Sequence, residues 1–274
     1  MTSHAHDHRH GSIAELLDLD ARVLRHSLLE IVGWMASHAE RRPVRRILDI
    51  GAGTGTGTVA LARRFTDAEV VAVDVSSDML HRLRERATAD RLAERVSAVQ
   101  ADLDAPWPEL GSFDLVWASA TLHEFADPDG AFGNIRRVLE PGGLLTIVEM
   151  DGPPRFLEDQ VGDGLEARIH TILRDDAADR NDHPDWSDDL ARAGFAPVEE
   201  TTFAVELPID GRGDGGRYAQ AYLRRVREFV APRLTAADRA VLDALVADDG
   251  PESLRSRDDL RVRTGRRVWA ARRS

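Results

Sequence analysis

The sequence predicts an α/β protein built on a doubly wound, mostly parallel open sheet with helices on both faces. Three observations carry this. Short apolar runs alternate with helix-period segments between residues 44 and 150, and that alternation implies parallel strands joined by right-handed crossovers. The first apolar run feeds directly into closely spaced glycines, Gly51, Gly53, Gly55 and Gly57. Three acidic residues, Asp49, Asp74 and Asp102, fall at the carboxyl ends of successive runs, the edge at which open α/β sheets bind ligands.

The elements follow in order. Residues 1–11 are polar and His-rich and read as a flexible tail, in which His4, His6, His8 and His10 alternate without forming an expected metal site. From 12 to 40 the apolar positions Ile13, Leu16, Leu17, Val23, Leu24, Leu28, Ile31, Val32 and Met35 keep helical spacing, and Pro43 stops the pattern. Strands are expected at 46–50, 69–74, 96–100, 113–118 and 144–150, with helices at 59–65, 78–89 and 131–139. Pro141-Gly142-Gly143 is the turn that ends the third of these helices and begins the fifth strand.

Beyond Asp151 the pattern changes. Residues 157–178 read as a polar helix or lid, 186–193 as a helix stopped by Gly194, and 195–207 as a strand. The Gly- and charge-rich stretch 209–216 reads as a linker, 218–229 and 236–247 as helices, and 260–271 as a last strand. The organisation expected is a tail (1–11), an N-terminal helical cap (12–43), an α/β core (44–207) carrying a lid at about 152–185, a helical insert (208–259) and a closing strand segment (260–274).

Composition narrows the chemistry. The chain has 274 residues, 42% hydrophobic and 31% charged, a globular balance. A net charge of -12 argues against a general nucleic-acid partner, which requires a basic surface. With no Cys, thiolate catalysis and Cys-ligated metal centres are excluded. All 36 basic residues are Arg, which excludes Schiff-base chemistry and a phosphate-loop lysine. The N-terminus lacks an apolar targeting segment and no apolar run reaches the roughly 20 residues of a membrane span, so a cytoplasmic location without a membrane partner is expected.

The strongest motif is I-L-D-I-G-A-G-T-G-T-G at 47–57. Its glycines let the backbone turn and approach a ligand closely, and the following helix offers unpaired N–H groups. The dinucleotide fingerprint G-x-G-x-x-G/A fits neither register, because Thr56 or Thr58 stands where the third small residue belongs. D-x-G-x-G-x-G does fit, and it resembles motif I of the class I S-adenosylmethionine-dependent methyltransferases. Further segments agree with that family in order and spacing. They are V-D-V-S-S-D-M-L around Asp74, Q-A-D-L around Asp102, F-D-L-V-W-A-S-A-T-L-H-E-F at 113–125, and R-V-L-E-P-G-G-L-L-T-I-V-E at 137–149.

The resemblance covers residues 45–150, and what it implies is specific. The fold would be Rossmann-like and seven-stranded, with a sixth strand followed by an antiparallel seventh inserted beside the fifth. The cofactor would be S-adenosyl-L-methionine, leaving as S-adenosyl-L-homocysteine. Its contacts would come from Asp49, Gly51, Gly53, Gly55, Asp74, Val75, Met79, Asp102, Leu103, Ala118 and Ser119. Asp74 would hold ribose hydroxyls, Asp102 the adenine amino group, and Met79 the adenine face.

Candidate bases are His123 and Glu149, with Glu124 adjacent to the first; an unperturbed imidazole suits proton abstraction near neutrality. The resemblance also narrows the acceptor. The Asn/Asp-Pro-Pro-aromatic motif of amino-methylating nucleic-acid enzymes is replaced by Ala118-Ser119-Ala120-Thr121, and neither a paired-glutamate loop nor a catechol-type acidic metal set is found. A small-molecule acceptor methylated on O, N or C remains. The insert is expected to cap the substrate together with the N-terminal helices, or to serve a homodimer. Two other readings stay open here: a cofactor-binding protein with a non-methylating or regulatory role, and a nicotinamide-dependent oxidoreductase.

Overall fold

The computed structural model describes residues 3–40, 42–180 and 185–274; the side chains of 3–12 and 177–180 lie outside the description. In chain order the helices are α1 (Ser3–Val23), α2 (Arg25–Ala39), α3 (Thr56–Arg64), α4 (Ser77–Ala89), α5 (Pro128–Val138), α6 (Leu165–Arg180), α7 (Ser187–Arg192), α8 (Asp214–Val230) and α9 (Ala236–Leu245). The strands are β1 (Arg46–Ile50), β2 (Glu69–Asp74), β3 (Val96–Gln100), β4 (Phe113–Ser119), β5 (Leu139–Met150), β6 (Phe195–Pro208) and β7 (Arg261–Arg273). The chain separates into two compact units, and the division falls within β6 and β7.

The sheet unit comprises His26–Met150, Pro184–Phe203 and Arg266–Ser274. Strand order is β3-β2-β1-β4-β5-β7-β6. β1 runs parallel to β2 and β4, β2 to β3, and β4 to β5, while β7 pairs antiparallel with β5. The seventh strand is therefore inserted beside the fifth, as the family resemblance implies. Parallel strands are covered on both faces and so read as near-continuous apolar runs. Ile47, Val70 and Leu115 pack with Ile31 and Met35 of α2 and Val59 of α3. Leu48, Ile50 and Val116 face the other way, onto Phe132 and Ile135 of α5 and Trp186 beside α7. Each such side chain contributes about 1.5–3 kcal/mol by leaving water.

Helix starts in this unit are capped by the expected chemistry. The Ser76 hydroxyl accepts from Met79 N at 3.3 Å to open α4, and Asp127 accepts from Gly130 N at 3.0 Å ahead of Pro128 to open α5.

The helical unit comprises Met1–Arg25, Asp151–His183 and Ala204–Gly265 and has its own core. Leu19, Phe156, Leu165, Tyr218, Leu223 and Leu242 are all buried within it. α1 lies on α8, where the Tyr218 hydroxyl donates to Asp20 at 2.7 Å and Arg217 to Glu15 at 2.7 Å.

Several boundaries differ from the sequence reading. α1 begins at Ser3, inside the stretch read as a tail; the side chains of His4, His6, His8 and His10 lie outside the described residues. Of the expected N-terminal cap, α1 falls in the helical unit whereas nearly all of α2 packs with the sheet. β5 starts at Leu139, ahead of the Pro-Gly-Gly turn, because Leu139 pairs with Phe113 across a register irregularity. Residues 209–216 are no linker. A Cβ on Gly216 would stand 1.8 Å from the Gly211 carbonyl, and one on Gly211 2.2 Å from that of Arg257. These glycines permit close backbone packing, and α8 begins within them at Asp214.

Candidate active site

The candidate site lies in the sheet unit, at the carboxyl ends of β1, β2, β4 and β5. β1 ends on Asp49-Ile50, and Gly51, Gly53 and Gly55 all take positive φ (+65°, +52° and +83°) before α3 starts. Two of these positions exclude any side chain for a second reason. A Cβ on Gly51 would meet Thr121 Oγ1 at 2.1 Å, and one on Gly55 would meet Leu83 at 2.6 Å.

Asp74 ends β2. One carboxylate oxygen accepts from Gly53 N at 2.8 Å and the other from Ser76 N at 2.8 Å. The carboxylate thus ties the glycine loop to the start of the β2–α4 turn. Each oxygen keeps a second lone pair, so it can also accept from vicinal hydroxyls.

Asp49 is buried, and the Thr58 hydroxyl donates to it at 2.5 Å. Burial pushes its carboxyl up to about 7; the Thr58 bond opposes that shift and the nearby Asp74 charge adds to it. Thr58 stands where a dinucleotide loop needs a small residue, and here its hydroxyl serves the sheet instead.

Of the other sequence-derived contacts, Val75 is open to solvent (64% exposed), whereas Met79 and Leu103 are almost wholly buried. Leu103 belongs to the core beneath Trp107, whose indole N–H donates to the Leu103 carbonyl at 3.0 Å. Asp102 accepts from Asp104 N at 3.0 Å, which fixes the loop after β3. Ala118 is buried and Ser119 half-buried at the end of β4. Ala120 follows with φ +49° and its N–H on the Val148 carbonyl at 2.8 Å.

The two candidate bases come together. His123 sits in the short turn Leu122–Glu124 after β4, and Glu149 lies near the end of β5. His123 Nδ1 is 2.9 Å from Glu149 Oε2, and Nε2 is 3.3 Å from Glu124 Oε1. The Glu149 side chain is 5% exposed while Glu124 is 78% exposed, so the inner contact is the ordered one. Glu149 Oε1 is buried without a hydrogen-bond partner. The sequence reading missed Thr121 and Thr58 as parts of the site. Thr121 carries no motif of its own and is found only through its contact with Gly51.

Among the described residues no group of three or more His, Asp and Glu is placed to hold a metal ion. A groove of about 750 Å³ lies within the helical unit, lined by residues such as Val161, Val241, Leu245 and Glu252, and it contains none of the candidate residues.

A positive-φ glycine loop, an acidic residue ending β2 and an antiparallel strand beside β5 define a nucleotide-type α/β fold with a site at its carboxyl edge. Comparison with known proteins gives the family. Residues 47–143 match the family described as Methyltransferase domain. A demethylmenaquinone methyltransferase of Clavibacter sepedonicus is 34% identical over 191 residues, 64% of this chain and 76% of that protein. A malonyl-[acyl-carrier protein] O-methyltransferase of Halorhodospira halophila is 36% identical over 212 residues, 75% of this chain and 60% of that protein. The YcgJ protein of Bacillus subtilis shares the fold, with a TM-score of 0.53 at 19% identity over 91% of this chain and 99% of that one. This chain belongs to the methyltransferase-domain family. It spans only 51–60% of the length of several curated relatives it matches.

Proposed function

We propose that the protein transfers a methyl group from S-adenosyl-L-methionine to an O, N or C nucleophile of a small molecule. The observation that carries this reading is Asp74, an acidic side chain at the end of β2 that clamps the positive-φ glycine loop at Gly53 while keeping lone pairs for hydroxyl donors. The chain's own residues fit the cofactor. Asp74 would take the ribose hydroxyls and Asp102 the adenine amino group. Gly51, Gly53 and Gly55 allow close backbone approach, and Asp49 backs the loop from beneath. Val75, Met79, Leu103, Ala118 and Ser119 complete the surround, Val75 being the most exposed and Met79 and Leu103 lending only their edges. When bound, this cofactor supplies an electrophilic methyl on a sulfonium.

His123 is the base in this reading. In the tautomer whose Nδ1–H donates to Glu149 Oε2, Nε2 carries the lone pair that would take the acceptor's proton, with the exposed Glu124 carboxylate 3.3 Å from it. The buried carboxylate then stabilises the imidazolium, and low local polarity strengthens that pairing. Alignment of the nucleophile contributes several kcal/mol more. The names of the relatives favour a small organic acceptor over nucleic acid. No helix among the described residues is long and apolar enough to cross a membrane; a cytoplasmic location and a homodimer belong to the same proposal.

Calorimetry with S-adenosylmethionine and S-adenosylhomocysteine tests it. Micromolar binding is expected, weakened about tenfold or more by Asp74→Ala, ~1.4 kcal/mol. Binding of neither ligand would overturn the reading.

A further inference from the structure

We propose that the groove of the helical unit binds a small organic amine in its protonated, ammonium form. The groove has a volume of about 750 Å³, and Ala240, Val241, Ala244 and Leu245 of α9 line it together with Val161. A cavity of that size, largely apolar with a few charged groups at set places, is the ordinary form of a small-ligand site.

Its walls are held by contacts of their own. Gly162, Asp163 and Gly164 take three successive positive φ values (+58°, +48° and +82°), and a Cβ on Gly162 would stand 3.2 Å from Val241 Cγ1. Arg168 fixes this turn by donating to the Gly162 and Asp163 carbonyls at 2.8 and 2.6 Å, and the same guanidinium binds Asp238 of α9 at 2.6 Å. A left-handed backbone at Asp163 persists only because its surroundings enforce it. A second wall follows the turn Leu254–Ser256, where the buried Ser253 hydroxyl donates to the Ala247 carbonyl at 2.8 Å. Walls fixed in advance spare a ligand the cost of ordering them.

The charge at the groove is negative. The carboxylates of Glu158, Glu252 and Asp259 line it, against the single guanidinium of Arg257. Asp259 is committed to that guanidinium, accepting from Arg257 Nε at 2.8 Å and also from Nη2. Glu252 stands 3.9 Å from Arg257 Nη1, and Glu158 stands 3.9 Å from Arg263 Nη1. Both separations are beyond hydrogen-bond reach. The two side chains are 68% and 40% exposed, so they stand at the mouth of the groove with acceptors open to a ligand.

An ammonium carried on an apolar body answers both parts. The body would leave water along Val161, Val241 and Leu245, and the N–H donors would reach Glu252 at the mouth in charge-assisted hydrogen bonds. An anionic ligand would meet like charge there. A second copy of this chain is a poor occupant, because each copy carries a net charge of -12. This inference stands apart from the methyl-transfer reading and does not require it.

Calorimetric titration of the full chain with tryptamine, its neutral counterpart tryptophol and the anion indole-3-propionate tests the proposal. Tryptamine is expected to bind about fivefold more tightly than tryptophol, with indole-3-propionate weakest, and added salt should narrow the gap. Glu252→Gln should weaken tryptamine about threefold and leave tryptophol unchanged. Ala244→Trp, at an exposed position of α9, should fill the groove and weaken both ligands about tenfold or more, with S-adenosylmethionine affinity unchanged. If that variant fails to fold, Ala240→Trp, also at an exposed position, takes its place. Tryptamine no tighter than tryptophol, or tryptamine affinity unmoved by Glu252→Gln or by the α9 substitution, would each overturn it. Absence of S-adenosylmethionine binding alone would strike the methyl-transfer reading and leave this one standing.

Discussion

The sheet unit and the helical unit draw on the same Arg-rich, Lys-free composition and use charge in opposite ways. In the sheet unit the polar groups at the site are acidic, mostly buried and committed one by one: Asp49 to Thr58, Asp74 to two backbone N–H groups, Glu149 to His123. In the helical unit, apart from the buried Glu166, many charges form pairs partly in contact with water, such as Arg168–Asp238 and Arg227–Asp243 between helices and Arg224–Asp248 from α8 to the loop after α9. The first arrangement fixes geometry, since a buried carboxylate without its partner is costly. The second adds little stability per pair, because water screens it. Substitutions in the two units should therefore differ sharply in effect.

The largest effect is expected at Gly51. Gly51→Ala places a Cβ 2.1 Å from Thr121 Oγ1 and forces an L-residue to φ +65°. Urea unfolding should show a loss of about 4 kcal/mol, and Gly51→Ala/Thr121→Gly should recover part of it. No recovery would mean that backbone conformation, not the Thr121 contact, is the constraint.

Next comes the dyad. Glu149→Gln keeps an acceptor for His123 Nδ1 but removes the charge that stabilises the imidazolium. Turnover should fall about 10²-fold, ~2.7 kcal/mol, with S-adenosylmethionine affinity unchanged. Unchanged turnover would relegate Glu149 to the core.

Asp49 gives a pH signature of intermediate size. Its folded-state value, about 7, lies above the unfolded reference, so folding favours the protonated form. The stability it lends is present in full below the unfolded value near pH 4 and is lost as pH rises to 7. Relative to wild type, Asp49→Asn should therefore gain about 2 kcal/mol between pH 5.5 and 7. A pH-independent difference would show that the carboxyl is ionised throughout.

The smallest effect belongs to the helical unit. Asp238→Asn neutralises the partner of Arg168 (2.6 and 3.2 Å) and leaves the Arg168 bonds to the Gly162 and Asp163 carbonyls in place, so it should cost less than about 1 kcal/mol, and less still at high salt. A cost above 2 kcal/mol would erase the contrast between the units.

The same contrast governs what could be read in the sequence. β1, β2 and β3 fall at the expected 46–50, 69–74 and 96–100 because a strand buried on both faces writes an uninterrupted apolar run. Asp74 and the glycines were legible through their spacing, and His123 and Glu149 through their places just after β4 and near the end of β5. Their pairing was not, because it depends on the register of β4 against β5 and on the turn at Leu122–Glu124. The helical unit was harder. It gathers three distant stretches of chain, and no stretch records which other its apolar face will meet. Glycines 211 and 216 misled for a related reason: in sequence a Gly that permits close packing looks the same as one that permits slack.

Gly51 and Thr121 are seventy positions apart in the chain and in contact across the ends of β1 and β4. A side chain at 51 would meet the Thr121 hydroxyl. Any side chain at 51 therefore calls for a smaller residue at 121. The glycine loop and the turn that carries His123 are in this sense sterically coupled, so a change of shape at one is felt at the other.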